Sequence, residues 1–381
     1  MLDSMLLIFI AAAALASVAL FARQPLIIVY IVLGCVLGPS GLQWITDDKA
    51  LSDLGHIGII FLLFIVGLDL PPQKIRNVLR ETIVTVVVST AIFFGVGLGI
   101  GLLFGFSILE AVIAGIAVVF SSTIVGIKLL PKTVLHHRHI GEVVIGLLLL
   151  QDLLAVFALL YMRGVEGEFA WHSWLIACVG LPSLIAVAYL GAKFIFWPLL
   201  RKFDVFTEYT FLAFLGWCMG IALLGYQVGL PVEIGAFVAG VVLANSQAAQ
   251  GIAQTLEPLR DFFLVLFFFY VGASVDPRLL WSVGWQVVVF GLVLVALKPV
   301  VFRYLIAWQG ETKTTSWEIG IRLGQCSEFS LLVLYLAATQ MSSTNMLIVL
   351  GATVFTILLS SYFVVFKYKN PIAISDRLRV D

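Results

Sequence analysis

Charge is scarce in this 381-residue chain: only 12% of its residues are Asp, Glu, Lys or Arg, about half the roughly 25% of an ordinary soluble domain. So few charges cannot clothe a water-facing surface, which excludes a soluble globular enzyme. The 22 Lys and Arg balance the 22 Asp and Glu, so there is neither the basic excess that attracts nucleic acid nor an acidic disordered tail. Cysteine is sparse too. Cys35, Cys178, Cys218 and Cys326 lie in apolar stretches and form no CxxC pair, which argues against a disulfide framework or a zinc site and leaves them as small buried hydrophobes. What the chain has in plenty is apolar surface, at 61% of residues, with 13% aromatic. Its solvent is lipid.

A helix needs about 20 mostly apolar residues to cross the hydrocarbon core. Cutting the chain where charges, prolines or turn residues cluster gives thirteen such segments, near 4–21, 25–42, 54–71, 82–104, 108–130, 140–162, 172–196, 208–228, 230–246, 259–275, 281–307, 317–338 and 345–366. None of the intervening stretches can hold a soluble domain. The first segment is Ala-rich like a signal peptide, but Asp3 and the lack of Lys or Arg before it make it a membrane helix. With thirteen crossings, seventeen Lys and Arg fall on the side of the C-terminus and three, Lys49, Arg163 and Arg278, on the other. The positive-inside bias therefore predicts an outside N-terminus and a cytoplasmic C-terminus.

The chain also resembles itself. VLGCVLGP (32–39) matches VAGVVLAN (238–245), LFIVGLD (63–69) matches FFYVGAS (268–274), and FSSTIV (120–125) aligns with QCSEFS (325–330), at offsets of 206, 205 and 205. Three anchors in order predict a duplication: helices 1–6 over 1–171, a connecting helix 7 over 172–207, helices 8–13 over 208–369, and a cytoplasmic tail over 370–381. Seven crossings precede the second unit, so it enters from the opposite face. The expected fold is an all-α polytopic membrane protein built from two inverted six-helix repeats, an architecture of secondary transporters with a midplane substrate site.

A charge at midplane costs at least about 2.5–3.5 kcal/mol on insertion scales and needs a partner or a task. Asp152 is isolated in VIGLLLLQDLLAVFALL. Burial there favours the neutral carboxyl and a nearby cation favours the charged one, so protons and metal ions can compete for it; the alternative is an Asp paired permanently for packing. Gln151 offers an amide oxygen as a neutral co-ligand, or merely bonds a neighbouring helix. Lys298, in GLVLVALKPVVF, could neutralise Asp152 when no cation is bound, or snorkel as a structural lysine. The polar islands Phe120-Ser121-Ser122-Thr123 and Gln325-Cys326-Ser327-Glu328 mark expected helix breaks, whose freed carbonyls and dipole ends supply ligands; continuous helices with back-bonded hydroxyls are the other reading. Glu328 is expected to offset a dipole or to pair with Arg322. The repeat offset sets Asp152 opposite Ile357 and Lys298 opposite Phe93, so the chemistry is asymmetric on a symmetric scaffold.

Asp69, Glu110, Glu142, Glu233 and Asp276 fall near span ends and read as solvated, with Asp69 and Glu233 as alternative funnel residues. His136, His137 and His139 read as a solvated loop, with a pH sensor as the alternative.

Together GCVLGP, FLLFIVGLDL, FSSTIV, LLLLQDLLAV, GAFVAGVVLANS, LEPLRDFFLVLFFFYVGASVD and GQCSEFSLLV resemble the membrane domain of the monovalent cation:proton antiporter-2 family, Kef-type potassium efflux branch, over essentially the whole chain. The resemblance implies that Asp152 binds the ion and the proton, with Gln151 as co-ligand, Lys298 as its helix-11 partner, and Ser121, Ser122 and Thr123 with Cys326, Ser327 and Glu328 in unwound crossings. It further implies a homodimer in a bacterial inner membrane, with a mobile core working as an elevator. Kef-type proteins continue into a cytoplasmic nucleotide-binding domain, for which SDRLRVD leaves no room, so that regulator is expected outside this chain. The loop SQAAQGIAQTLEPLRD carries only Glu257 and Asp261 and does not match the acidic loop of glutathione gating.

The expected function is therefore exchange of a monovalent cation, K⁺ before Na⁺, for H⁺, by alternating access around Asp152. The transported ions are substrates and no cofactor is expected in this chain. A Na⁺/H⁺ antiporter and a ligand-gated K⁺ channel are the competing readings, while an enzyme lacks any nucleophile-base pair and nucleic acid has no basic surface to meet.

Overall fold

The computed structural model describes residues 2–22, 24–45, 48–68, 72–122, 139–164, 179–203, 206–244 and 247–368. Among them every regular element is helical, as hydrocarbon demands of a backbone that must satisfy its own N–H and C=O groups. Fourteen helices follow in order. They are α1 (Leu2–Phe21), α2 (Leu26–Leu37), α3 (Asp48–Leu68), α4 (Pro72–Leu103), α5 (Ile108–Ala117), α6 (His139–Gly164), α7 (Leu181–Phe203), α8 (Thr207–Gln227), α9 (Val232–Leu243), α10 (Gln247–Ala273), α11 (Pro277–Trp308), α12 (Lys313–Arg322), α13 (Glu328–Leu336) and α14 (Ser343–Lys367). Each of the thirteen expected spans contains a described helix, and the twelfth contains two, α12 and α13. The fifth stops early, at Ala117.

Among the described residues five helical stretches are long and apolar enough to span by themselves: Thr82–Leu103, Leu181–Phe203, Glu208–Gln227, Pro277–Trp308 and Ser343–Lys367. Others are markedly short. At 12 residues, α2 and α9 rise only about 18 Å, well under the roughly 30 Å core. Such helices end at membrane depth where protein rather than lipid surrounds them. In α9 the buried positions run from Glu233 to Gly240 without interruption.

Boundaries recur along the chain. The 32-residue helices α4 and α11 begin at Pro72 and Pro277, where a proline without an N–H fits the first turn. The 10-residue helices α5 and α12 begin after the caps Ser107 and Thr312, each of whose side chains accepts a backbone N–H of its own first turn. Both pairs are 205 positions apart.

The chain forms two compact units. One comprises residues 47–76 and 159–270. There α3 and α9 pack through Gly67 and Gly240: a methyl added at Gly67 would lie 2.5 Å from the Phe237 carbonyl oxygen, so only the absence of a side chain permits the approach. Phe61 stacks on Phe263 of α10 at 5.4 Å. The other unit comprises residues 1–46, 77–158 and 271–381 and contains α5, most of α6, and α11 to α14. It holds every described residue of the expected site.

Candidate functional site

In α5 the capping box of Ser107 and Glu110 fixes the start. The helix ends at Ala117, and residues 118–122 leave it. α12 ends at Arg322, the backbone is non-helical from Leu323 to Ser327, and α13 restarts with Ser327 as its cap. The second polar island is thus a break, and the continuous-helix alternative does not hold there. Thr123 lies outside the described residues.

One buried cation joins the stretch that follows α5 to the break after α12. The ammonium of Lys298, 0% exposed, donates to the carbonyls of Val118 at 3.1 Å, Phe120 at 2.8 Å and Gln325 at 3.1 Å. Phe120 and Gln325 occupy matching places in the aligned segments 120–125 and 325–330. An ammonium has three hydrogens, and these acceptors take them all. The sequence reading made Lys298 the charge partner of Asp152; its bonded partners here are backbone carbonyls just past two helix C-termini, where a cation offsets the negative end of each dipole. The ammonium also lies over the ring of Phe93, 5.1 Å from its centroid. The following residue sets the approach, because Pro299 seats against Gly320 of α12 and Gly324 just past its end, and a methyl at Gly324 would lie 2.6 Å from Pro299 Cγ.

The anionic counterpart is Glu328, the first residue of α13, where the positive dipole end favours a carboxylate. Its Oε2 accepts hydroxyls from Ser122 at 2.9 Å and Ser327 at 3.3 Å. Of the two roles read for Glu328 this is the dipole-offsetting one; Arg322 forms its ion pair with Glu318 at 3.0 Å.

Asp152 and Gln151 sit on α6, at 4% and 0% exposure. Gln151 Oε1 accepts the Ser121 N–H at 3.1 Å, which fixes the amide orientation, since only the oxygen can accept. One lone pair of that oxygen thus holds the backbone that follows α5, and among the described residues the buried Nε2 has no hydrogen-bond partner. Ser121 Oγ donates across to the Leu323 carbonyl at 2.9 Å, and Gln325 Nε2 donates to the Arg322 and Ser122 carbonyls at 2.8 and 3.4 Å.

Sequence reasoning passed over α14. Thr356 Oγ1 accepts the Cys326 N–H at 3.0 Å and Ser360 Oγ donates to Gln325 Oε1 at 2.9 Å. A signal was available: the repeat offset of 205 sets Gln151 opposite Thr356, and each accepts an N–H from its own unit's break. Glu233 requires a correction. It is not solvated but 2% exposed, with Oε1 3.9 Å from His56 Nδ1, because nearness to a span end fixes depth and not which side of the helix a residue takes. Glu110 accepts the N–H groups of Ser107 and Ser342, and Asp276 caps α11 through the Arg278 N–H. Asp69, His136 and His137 lie outside the described residues, as do the side chains of Glu142 and His139.

A membrane protein helical throughout its described elements, in which the stretches following α5 and α12 meet around the buried Lys298, has the fold class of the sodium/proton antiporters. The solved sodium proton antiporter MjNhaP1 from Methanocaldococcus jannaschii superposes with a TM-score of 0.71 at 17% identity, over 95% of each chain. The family model for the transmembrane part of sodium/hydrogen exchangers matches residues 5–366, and this chain is a member of that family: a transporter and not an enzyme. Among its relatives, the iron transporter MagA of Paramagnetospirillum magneticum is 27% identical over 355 residues, 90% of this chain and 80% of that protein. The K(+) efflux antiporter 4 of Arabidopsis thaliana is 28% identical over 347 residues, 87% of this chain but only 58% of that longer protein.

Proposed function

We propose that the protein exchanges a monovalent cation for a proton by alternating access, with Asp152 as the group for which the two compete. The observation that carries this reading is a nearly inaccessible carboxyl, adjoining the residue that clamps a broken helix, in a member of a cation/proton exchanger family. Ser121, Ser122 and Thr123 contribute the first broken wall of the site; Lys298, Cys326, Ser327 and Glu328 hold the opposing one. Gln151 positions the Ser121 backbone with one lone pair of its oxygen and offers the other to the ion as a neutral co-ligand.

K⁺ is the favoured substrate, supported by the Gln151-Asp152 pair, which resembles the Gln-Asp pair of Kef-type members, and by the potassium antiporter among the relatives. Na⁺ is the second reading, since the structurally similar MjNhaP1 is a sodium proton antiporter. One titrating carboxyl gives electroneutral one-for-one exchange. The protein works as a homodimer in a bacterial inner membrane with its C-terminus in the cytoplasm, under a regulatory domain or subunit outside this chain. Its two halves, 1–171 and 208–369 about a linker over 172–207, descend from one duplicated unit, a reading supported by the paired starts of α4 with α11 and α5 with α12.

The test is reconstitution with an internal pH dye, adding K⁺, Na⁺ or Li⁺ in turn. Cation-driven proton movement that vanishes in Asp152→Asn supports exchange at this carboxyl. Current in a K⁺ gradient without proton counter-flow would establish a channel instead.

A further inference from the structure

α7 loosens into a single π turn at Ala192–Phe196, where the Trp197 N–H reaches back to the Ala192 carbonyl. The sequence supplies a cause in Pro198, which has no N–H to return to the Phe194 carbonyl. A π turn advances roughly 82° per residue instead of about 100°. From Tyr189 to Arg201 the drift of an every-fourth-residue row therefore falls from about 120° to about 30°. Two rows stay in line. Leu184, Ala188, Ala192, Phe196 and Leu200 form the buried one, with Phe196 against Phe214 and Trp217 of α8 at 5.0 and 5.1 Å. Tyr189, Lys193, Trp197 and Arg201 form the other, and with Ala192 and Pro198 they line an open groove of about 370 Å³.

This groove combines two cations, an indole and a phenol with an apolar border. Phe194 and Ile195 beside it are 66% and 61% exposed, and Lys193 Nζ lies 5.4 Å from the Phe194 ring centroid, the posture of a lysine whose stem covers apolar surface while its head seeks a polar layer. Tyr and Trp favour that same interfacial depth. We propose that the groove binds one anionic phospholipid, its headgroup phosphate drawn between Lys193 and Arg201 and its acyl chains lying along Phe194 and Ile195. The two cations are about 12 Å apart along the axis, a gap that two long side chains can close from either end. Charge complementarity selects an anionic over a zwitterionic headgroup, and the apolar border selects a lipid over a free phosphate ion. The site is independent of the exchange chemistry.

The experiment measures binding to the purified full chain in detergent by native mass spectrometry, with phosphatidylglycerol, phosphatidylcholine and inorganic phosphate as separate probes. Phosphatidylglycerol is expected to bind the wild type well ahead of both others. At about fivefold per cation, Lys193→Gln with Arg201→Gln weakens it roughly 25-fold, while Lys193→Arg with Arg201→Lys stays within about threefold. Both side chains are exposed, so these variants fold. Undiminished phosphatidylglycerol binding by the double Gln variant overturns the proposal, as does phosphatidylcholine binding of equal strength. Inorganic phosphate binding as tightly would replace the lipid site with an ion site.

Discussion

Ser122 donates its hydroxyl to Glu328 Oε2 across 206 residues, at 2.9 Å. Ser327, aligned with Ser122 in the repeat, donates to the same oxygen at 3.3 Å. One carboxylate oxygen thus ties the stretch that follows α5 to the start of α13, inside one compact unit.

That shared acceptor predicts non-additivity. Ser122→Ala and Ser327→Ala each remove one hydroxyl donor, at about 1 kcal/mol apiece. The double variant should lose about 0.5–1 kcal/mol more than their sum, because the first loss leaves the second serine holding that oxygen. A double-mutant cycle on thermal unfolding in detergent measures this; strict additivity would mean the two bonds are uncoupled.

Lys298→Met removes the donor of three buried carbonyl bonds. Each carbonyl left without a partner costs at least about 1 kcal/mol, partly offset by no longer burying an ammonium, so stability should fall by about 2–3 kcal/mol. A variant as stable as the wild type in chemical unfolding would show that these bonds add nothing net.

Packing of α3 on α9 is tested by Gly240→Ala. The added methyl meets the Phe64 carbonyl oxygen, and overpacking of this kind costs about 1–3 kcal/mol. Gly216→Ala, inside α8 with nothing within 4 Å of the added carbon, should instead raise the melting temperature slightly, because alanine loses less backbone entropy in a helix than glycine.

Competition at Asp152 fixes the direction of the pH dependence. Protonation blocks cation binding, so the apparent half-saturation constant for the cation should be flat on the alkaline side and rise about tenfold per pH unit below the carboxyl pKa. Initial rates over a cation and pH grid check this. A half-saturation constant independent of pH would separate the proton site from the cation site.

Much of this was legible in the sequence because lipid is a demanding solvent. Thirteen apolar runs suffice to place the helices, and the islands at Ser121 and Cys326 stand out where hydroxyl, amide and acid side chains interrupt such runs. Lys298 was visible as an isolated charge, but its partners were not: they are carbonyls, which every residue carries. Thr356 and Ser360 escaped notice because a hydroxyl in an apolar helix ordinarily bonds its own preceding turn, as Thr353 does to the Val349 carbonyl at 2.9 Å. Glu233 was misread for a geometric reason, and the π turn of α7 announced itself only through Pro198.

The ammonium of Lys298 grips carbonyls that follow both α5 and α12. Neither ruptured segment can slide along α11 without tearing bonds that belong to the other. Shifting any one of these three pieces against the others must therefore break contacts made by that single side chain.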